Sequence, residues 1–593
     1  MTQIQIIALV SVVVYIAIIL ILAHVLAKKS RAVGASGGRL PWFIIAATTM
    51  ATIMNAAQLL GNAGSAYSLG VSQMFWTNAF AALGTMILVP LVGERLRSVN
   101  CATLSDVTTK RFPKVRSVSI LLNAWFFIWG IFACSMSIFG GAVVLQMLLG
   151  VNFWVAAGAT VVVALIYNAL GGLEAMSVMD TVQYIFVGLL VAILTPILFI
   201  KFGTFSSFCA ALVGTTGYDL TAAGEALGIT GGFFDMFHLP GWGAAGFIAY
   251  VCACSMWQCC DMGVIQRFLA ERKPGDGVKG VRTYCLIFFP TLSLIVFFGL
   301  WGRGLFPSLD YVDSVTLRVG EAALGNVGIV LFMLATVAAI LSTVGAYLNA
   351  LGLTVSGFWA KRKPDSSPKT LKIVENAAIL VLGIVSLIAS KVFGTAGITL
   401  TAIALQMCMV ATISPMMALM VSWKKFNGKA AFWGCLAGLV VSIASTIYSG
   451  GAYAAILGDG FFGIPTLFLG WIVCIPIYII GSLLTKTKED DMSPEFRAVF
   501  EDKRPYVGKK DLVISVILIV VLAVFLAFAF SGKFGAFPTF TSTWGAIDVI
   551  LMIFSAIALF GCLFLSYKLI RFIYIDKDFF EENSDTSAQI EKE

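Results

Sequence analysis

The stretch PWFIIAATTMATIMNAAQLLGNAGSAYSLG, at residues 41–70, decides the fold. It is apolar enough to span a membrane, yet Asn55, Gln58, Asn62 and three glycines lie within it. Polar and small residues at membrane depth indicate an unwound stretch whose freed carbonyl groups face a cavity. A glycine-lined helix packed tightly on a neighbour is the alternative that the same pattern allows.

The composition of the whole chain agrees with a membrane setting. Of 593 residues, 59% are hydrophobic and 12% are charged, about half the charge of an ordinary soluble domain. This excludes a secreted disulfide scaffold, a soluble enzyme with a small anchor and a nucleic-acid binder. Twelve cysteines without a CxxC pair, and two histidines, argue against structural zinc or haem attachment.

Fifteen segments are long and apolar enough to cross a bilayer, so we predict an all-α polytopic membrane protein. They lie at residues 3–27, 41–69, 71–93, 117–149, 153–170, 181–201, 241–266, 283–302, 327–360, 373–390, 395–423, 430–449, 463–485, 511–531 and 545–570. The first lacks a basic n-region and a small-residue cleavage site, which indicates a retained helix.

The loops between these segments differ sharply in charge. All but five of the 39 Lys and Arg residues fall on one side; the five are Lys201, Arg303, Arg318, Lys391 and Lys533. The positive-inside rule places the N-terminus outside and the C-terminus in the cytoplasm. An odd number of spanning helices likewise requires the two termini to lie on opposite sides of the membrane.

The ninth segment contains ATVAAILSTVGAYLNALG, in which Ala339, Ser342 and Thr343 share one helix face. Two adjacent hydroxyl groups with a free carbonyl form a hard-oxygen cluster that suits a small cation. Hydroxyl groups that bond back to the preceding turn of their own helix are the alternative.

Two aspartates lie at or near membrane depth, where carboxylates point to pathways. Asp180 opens the sixth helix, so a capping role is equally open. Asp261 lies within the seventh helix and could snorkel, be protonated, pair with a cation or accept bonds from neighbouring hydroxyl groups.

Several segments together resemble the sodium:solute symporter family, from about Pro41 to Pro415. The motifs that carry the resemblance are GSAYSLG (64–70), RSVNCATLSDVTTKRF (97–112), YNALGGLEAMSVMDTVQ (167–183), VIQRFLAERK (264–273), AAILST (338–343) and ISP (413–415). The resemblance implies a leucine-transporter-type fold of two inverted five-helix repeats. It divides the chain into a first helix and loop (1–40), a first repeat (41–201), an external loop (202–240), a second repeat (241–423), four peripheral helices (424–575) and an acidic cytoplasmic tail (576–593).

The same resemblance implies a sodium site, with Na⁺ as the coupling ion and no organic cofactor. Its ligands would be the carbonyl groups of Ala51, Met54 and Ala339 and the hydroxyl groups of Ser342 and Thr343. Asp180 matches an aspartate that the family places near the inner sodium route.

The substrate pocket transfers less completely. Gln58 matches a glutamine of sugar-carrying members, but Thr77 and Asp261 stand where those members have a glutamate and an asparagine. The predicted substrate-binding residues are Asn55, Gln58, Trp76, Thr77, Trp257, Asp261 and Gln406, with Asn78 nearby. One carboxylate among aromatic rings could favour a substrate with an ammonium group.

The leading hypothesis is a sodium-coupled secondary transporter that imports a small organic solute by alternating access. The alternatives are a proton-coupled transporter of the same fold, with Asp261 or Asp180 as the relay, and a transporter-like sensor. A membrane enzyme is not expected, since no HExxH motif, Ser–His pair or cofactor loop is present. The expected partners are the solute and the lipid bilayer, with no nucleic acid, and the expected location is a cell membrane, bacterial and inner.

Overall fold

The computed structural model describes residues 3–29, 40–55, 57–70, 103–170, 173–208, 252–394, 398–449, 461–485, 492–501 and 545–575, and a few single positions elsewhere. The described residues form helices. The first half of the chain contains α1 (Gln3–Lys29), α2 (Trp42–Ile53), a π-helical turn (Ala57–Gly61), α3 (Asn62–Leu69), α4 (Leu104–Arg111), α5 (Arg116–Leu149), α6 (Phe153–Leu170), α7 (Leu173–Phe202), a 3₁₀ turn (Trp257–Cys259), α8 (Met262–Leu269) and α9 (Asp276–Leu305). The second half contains a 3₁₀ turn (Val312–Ser314), α10 (Val315–Leu324), α11 (Asn326–Arg362), α12 (Pro368–Gly394), α13 (Ile398–Ser422), α14 (Gly428–Tyr448), α15 (Thr466–Leu484), α16 (Pro494–Glu501) and α17 (Ala546–Ile575).

The predicted break in the second span is confirmed. α2 ends at Ile53, Met54 leaves the helix with φ −72° and ψ 60°, and the segment beyond is bent by 67° relative to α2. The side chain of Asn55 accepts a hydrogen bond of 3.0 Å from the backbone N–H of Gln58. Such a local bond offers the backbone an alternative to the helical ladder, and a π-helical turn follows before α3 resumes.

A second break lies where the sequence predicted a continuous seventh helix over 241–266. A 3₁₀ turn ends at Cys259, and Asp261 adopts an extended conformation with φ −78° and ψ 123°. Its carboxylate accepts a bond from the N–H of Val264, so Asp261 caps α8 as a new N-terminus. The prediction of a continuous helix is therefore wrong at Asp261.

The two broken segments are joined to each other at one end. The N–H of Leu40, just before α2, donates to the carbonyl of Ala270, just after α8, at 2.8 Å. The N–H of Arg272 returns a bond to the carbonyl of Leu40 at 2.9 Å. Because α8 also contacts α2 directly, the two short helices form one paired unit.

The long helix α11 lies at the centre of the described structure. It contacts α2, α5, α7 and α12, and its middle is fully buried. α14 and α15 pack on each other and on α13, while α17 packs on α7 and α9. Large apolar side chains on outer helices are exposed, such as Ile21 at 63% and Phe560 at 67%. Such outward apolar faces suit contact with lipid.

Ten helices within the described residues are long and apolar enough to cross a membrane, and the bent pair of the second span would be an eleventh. α6 is apolar but slightly shorter. Most of 71–93, 511–531 and the first part of 241–266 lie outside the described residues, as do the loop from 209 and the tail from 576. The total of fifteen and the orientation of the termini stay predictions.

Candidate cation and solute site

An oxygen-rich cluster lies where the end of α2 meets the middle of α11. The Ser342 hydroxyl oxygen lies 2.9 Å from the carbonyl oxygen of Ala51 and 3.0 Å from that of Ala339. The Thr343 hydroxyl oxygen lies 3.0 Å from the carbonyl oxygen of Thr52. Both hydroxyl-bearing residues are fully buried. We call these five residues the oxygen cluster; four of them, all but Thr52, are predicted sodium ligands.

The break in α2 makes the cluster possible. Carbonyl groups in the last turn of a helix lack an intrahelical N–H partner, and α2 ends at Ile53. The carbonyl groups of Ala51 and Thr52 therefore accept hydrogen bonds from another helix. Met54, the remaining predicted ligand, is the C-cap residue of α2 and is buried. Its role as a ligand stays a prediction.

The chemistry of the cluster suits a small hard cation. Each hydroxyl oxygen donates its proton to a carbonyl oxygen and keeps lone pairs that can face an ion. Unwound carbonyl groups of broken membrane helices are typical ligands of Na⁺. The cross-helix bonds of Ser342 and Thr343 also differ from the alternative reading, in which each hydroxyl would bond only to its own helix.

Asp180 lies in a buried ion pair. Its Oδ2 accepts bonds from the Thr48 hydroxyl at 2.8 Å and from the Arg267 guanidinium at 3.0 Å. Arg267 also donates to the Thr48 hydroxyl oxygen at 2.7 Å and to the Gly263 carbonyl oxygen at 2.7 Å. The Tyr167 hydroxyl lies 3.4 Å from Oδ1. The pair thus links α2, α7 and α8. Because α7 begins at Leu173, Asp180 lies inside this helix, and the expectation that it opens and caps the helix is wrong.

This ion pair is one helical turn from the oxygen cluster. The Thr52 hydroxyl donates to the Thr48 carbonyl at 2.8 Å. Thr48 and Thr52 therefore lie on the same face of α2, one turn apart. Asp180 and Arg267 are 0% and 1% exposed at their side chains. A role for Asp180 on the ion-release path stays a prediction, and in this conformation its charge is compensated by Arg267.

The predicted solute residues are only partly brought together. Asn55 and Gln58 are partly exposed beside the break, and Gln58 accepts a bond of 2.7 Å from the Asn62 amide. Trp257 and Gln406 are 7% and 8% exposed on the facing elements, and the 3₁₀ turn of Trp257 contacts α13, which carries Gln406. Trp76 and Thr77 lie outside the described residues.

Asp261 is fully buried, and three neutral groups donate to it. Its Oδ1 accepts the Val264 N–H at 2.9 Å, while Oδ2 accepts the Trp129 indole N–H at 2.8 Å and the Tyr347 hydroxyl at 2.7 Å. The carboxylate is therefore engaged by the protein itself. Contact with an ammonium group of a solute stays a prediction.

The sequence did not single out the partners of the two aspartates. Trp129 and Tyr347 are ordinary residues of apolar helices, and Arg267 belongs to the basic loop group used for orientation. One signal was present, since Tyr347 follows Thr343 by four residues and therefore shares its helix face. Thr48 and Thr52 are spaced in the same way on α2.

An oxygen cluster where the break of α2 meets α11, with amide groups beside the break, is typical of ion-coupled membrane transporters. The sequence profile of the sodium:solute symporter family matches residues 35–438. The chain belongs to this family, whose members are transporters and not enzymes, and it is a multi-pass membrane protein.

Individual relatives are distant. The chain is 23% identical to sodium/myo-inositol cotransporter 2 of Homo sapiens over 466 residues, which cover 70% of this chain and 65% of that protein. It is 24% identical to a sodium/glucose cotransporter of Vibrio parahaemolyticus, covering 68% of this chain and 77% of that one. The chain thus spans less than two thirds of the human relative.

One solved structure shows the fold. The substrate-bound outward-open state of a Na⁺-coupled sialic acid symporter superposes with a TM-score of 0.64 at 16% identity, covering 81% of this chain and 99% of the other. The expected fold is confirmed at this level: an all-helical membrane protein of the same architecture as a sodium-coupled symporter.

Proposed function

We propose that this protein is a sodium-coupled secondary transporter that imports a small organic solute. The observation that carries the proposal is the oxygen cluster, because it joins the break of α2 to α11 through Ser342 and Thr343. An ion bound there would hold the two helices together. Family membership supports sodium as that ion.

The solute that fits best is small, polar and without net charge. The two buried carboxylates near the breaks are engaged, Asp180 by Arg267 and Asp261 by three neutral donors. The amide side chains of Asn55 and Gln58 are partly exposed at the break, and both the π-helical turn of Gln58 and the 3₁₀ turn of Trp257 contact α13. Relatives named for myo-inositol and glucose, both uncharged polyols, are consistent with this. A zwitterion would satisfy the same condition.

We propose a transport cycle that is consistent with these contacts. Sodium would take the lone pairs of the Ser342 and Thr343 hydroxyl groups and fix the end of α2 against α11. The solute would then bind between the two helix breaks. Opening toward the side with the basic loops, the predicted cytoplasm, would separate Asp180 from Arg267 and move α2 and α8 together. Sodium would leave past Asp180. With one sodium and an uncharged solute, each cycle would move one positive charge inward.

The broken segments also support the proposed inverted repeats. The first break follows the start of the predicted repeat 41–201, and the second follows the start of 241–423. Matching discontinuous helices in two halves are typical of transporters with a midplane binding site.

The experiment is a solute screen followed by transport. Purified protein is heated in sodium chloride or in choline chloride with each candidate polyol or zwitterion, and a ligand of the folded state raises the unfolding temperature. A compound that acts only with sodium is then tested for uptake into proteoliposomes under an inward sodium gradient. We expect uptake that needs sodium and is accelerated by an inside-negative potential.

A matched set of variants makes the test specific. Ser342→Ala and Thr343→Ala should each abolish the sodium dependence. Thr336→Ala should retain it, because Thr336 is equally buried on α11 but bonds only to the Phe332 carbonyl of its own helix. Unchanged sodium dependence in the first two variants would refute the proposed site.

Proton coupling is the second candidate, because the fully buried carboxylates of Asp180 and Asp261 could carry a proton. It predicts uptake that persists without sodium and collapses when a protonophore is added. Asp180→Asn would then remove the pH dependence of uptake.

A further inference from the structure

The carboxylate of Asp261 connects parts of the molecule that differ in sequence position and in role. Its Oδ2 receives bonds from Trp129 on α5 and from Tyr347 on α11, and its Oδ1 receives the N–H of Val264 on α8. α5 and α11 pack directly on each other. A single side chain therefore ties the broken unit of α2 and α8 to the two long helices behind it.

A carboxylate is the group that this arrangement requires. All three neighbours donate, and an ionised carboxylate offers only acceptors. An asparagine of the same size would keep one acceptor oxygen and would present its NH₂ group either toward the Val264 N–H or toward the two donors that now meet Oδ2. The three bonds are thus specific to Asp261, and Asp261→Asn removes at least one of them with little change in volume.

One end of this connection reaches the oxygen cluster. Tyr347 is one helical turn from Thr343 on α11, and Thr343 donates to the carbonyl of Thr52. A Cβ placed on Gly263 would lie 3.5 Å from the Thr52 methyl group, 3.7 Å from the Tyr347 ring and 3.1 Å from the Asp261 carboxylate. Thr52, Tyr347 and Asp261 therefore all lie around Gly263, and an added Cβ would be tight only against the Asp261 carboxylate.

The other end reaches the turn 257–260, which precedes the second helix break. The rings of Trp129 and Trp257 lie 5.8 Å apart at 53°. Trp257 begins the 3₁₀ turn that runs directly into Asp261, and the Cys260 thiol donates to the Trp257 carbonyl at 3.1 Å. A displacement of the Asp261 carboxylate would thus move the turn both along the backbone and through Trp129.

We propose that Asp261 is a positioning residue that transmits occupancy of the oxygen cluster to the turn 257–260, beside the proposed solute site. Sodium at the cluster fixes Thr52 and Thr343, which keeps Tyr347 on Asp261 and thereby holds Trp129 against Trp257. Without sodium the turn opens more often. This inference rests on the proposed function, because it takes sodium as the ion at the cluster.

The test uses the thiols of the turn as reporters. Cys259 and Cys260 are 2% and 0% exposed, so N-ethylmaleimide reaches them only when the turn opens to water, where the reactive thiolate can form. Modification of each cysteine is followed by mass spectrometry of its peptides in sodium chloride and in choline chloride. Cys562, which is buried on α17, serves as the reference thiol.

We expect sodium to slow modification of Cys259 and Cys260 in the wild type by about fivefold or more, the lower end of typical coupling between two sites. In Asp261→Asn the rates should be equal in sodium and in choline, while the sodium-induced rise in unfolding temperature persists. Equal labelling rates together with a retained thermal shift would show that the variant still binds sodium but no longer protects the turn. A merely structural role of Asp261 would not produce these two results together.

Two milder variants keep the test decisive if Asp261→Asn does not fold. Tyr347→Phe removes one donor and retains the ring. Trp129→Phe removes the other donor and keeps a smaller aromatic ring, and each variant should reduce the protection by sodium. Tyr478→Phe is the matched control, since it removes a buried hydroxyl that donates to the Thr412 carbonyl on α13. It should leave the protection unchanged.

The failures are distinguishable. Protection that is undiminished in Asp261→Asn, or in both milder variants, overturns the role of Asp261 and leaves the sodium site standing. Loss of the sodium-induced thermal shift in those variants also overturns it, because Asp261 would then act on ion binding itself. No sodium effect on the wild type, either in melting or in labelling, overturns the proposed function and the inference with it.

Discussion

The buried ion pair between Asp180 and Arg267 gives the sharpest prediction for stability. Both side chains are at most 1% exposed, and their closest atoms are 3.0 Å apart. Removal of one partner from a buried pair leaves an uncompensated charge and costs about 3–5 kcal/mol. Removal of both charges costs much less, since the attraction and the desolvation penalty disappear together.

In each single variant the remaining charged group keeps only uncharged hydrogen-bond partners. Arg267→Met leaves the Asp180 carboxylate with the hydroxyl groups of Thr48 and Tyr167 as donors. Asp180→Asn leaves the Arg267 guanidinium with the Thr48 hydroxyl oxygen and the Gly263 carbonyl oxygen. Neither set supplies an opposite charge. We therefore expect each single variant to lose about 3–5 kcal/mol and the double variant to be more stable than either.

The assay is a double-mutant cycle measured by reversible unfolding in mixed micelles, followed by tryptophan fluorescence. The surface pair of Arg318 and Glu321, 42% and 38% exposed at 2.9 Å, is the matched control. Its removal should cost at most about 0.5 kcal/mol. Single-variant losses that add within about 0.5 kcal/mol in the double variant would refute the reasoning, because additivity means independence.

Three further predictions concern contacts outside the candidate site. Gly64→Ala should lower the unfolding temperature, because a Cβ there would lie 2.2 Å from the Asp313 carboxylate oxygen and such overpacking costs about 1–3 kcal/mol. Burial raises the pKa of Asp313 from 3.8 to about 6, so folding favours its protonated form. The free energy of unfolding should therefore fall as the pH rises from 4 through 6. Asp313→Asn should flatten that part of the plot of melting temperature against pH. Phe496→Ala should release α16, because the fully buried Phe496 ring lies 5.5 Å from the Arg111 guanidinium, and trypsin should then cut within 485–510 faster than in wild type.

Much of the first helix break could be predicted from sequence. Asn55 and the glycines around it are poor residues for the middle of a membrane helix, and the local bond from the Gln58 N–H to the Asn55 side chain is of the kind that competes with helix. The hydroxyl pair at 342 and 343 could also be located, since helical spacing alone places it on one face.

The second break could not be predicted in the same way. The run from Met256 to Cys260 is apolar except for Gln258 and would continue a helix by composition. The one local signal is the aspartate before Met262 and Gly263. That aspartate can cap a helix, but it can equally lie inside one. The decision between the two depends on Trp129 and Tyr347, which are distant in sequence.

The partners of the two aspartates could not be predicted, because they depend on which helices pack together. Asp180 and Arg267 are separated by 87 residues, and Asp261 is separated from Trp129 by 132. Periodicity describes the faces of single helices but does not say which faces meet. The sequence therefore indicates that the two carboxylates matter, whereas their partners become evident only when the helices are packed.

The central claim is that the oxygen cluster binds sodium in the absence of solute. Equilibrium binding of radioactive sodium to the purified protein, in competition with unlabelled sodium or potassium, tests it most directly. The account predicts saturable binding that potassium does not displace, that is lost in Ser342→Ala and Thr343→Ala, and that is retained in Thr336→Ala. Binding that is unchanged in the first two variants, or absent from the wild type, would contradict it.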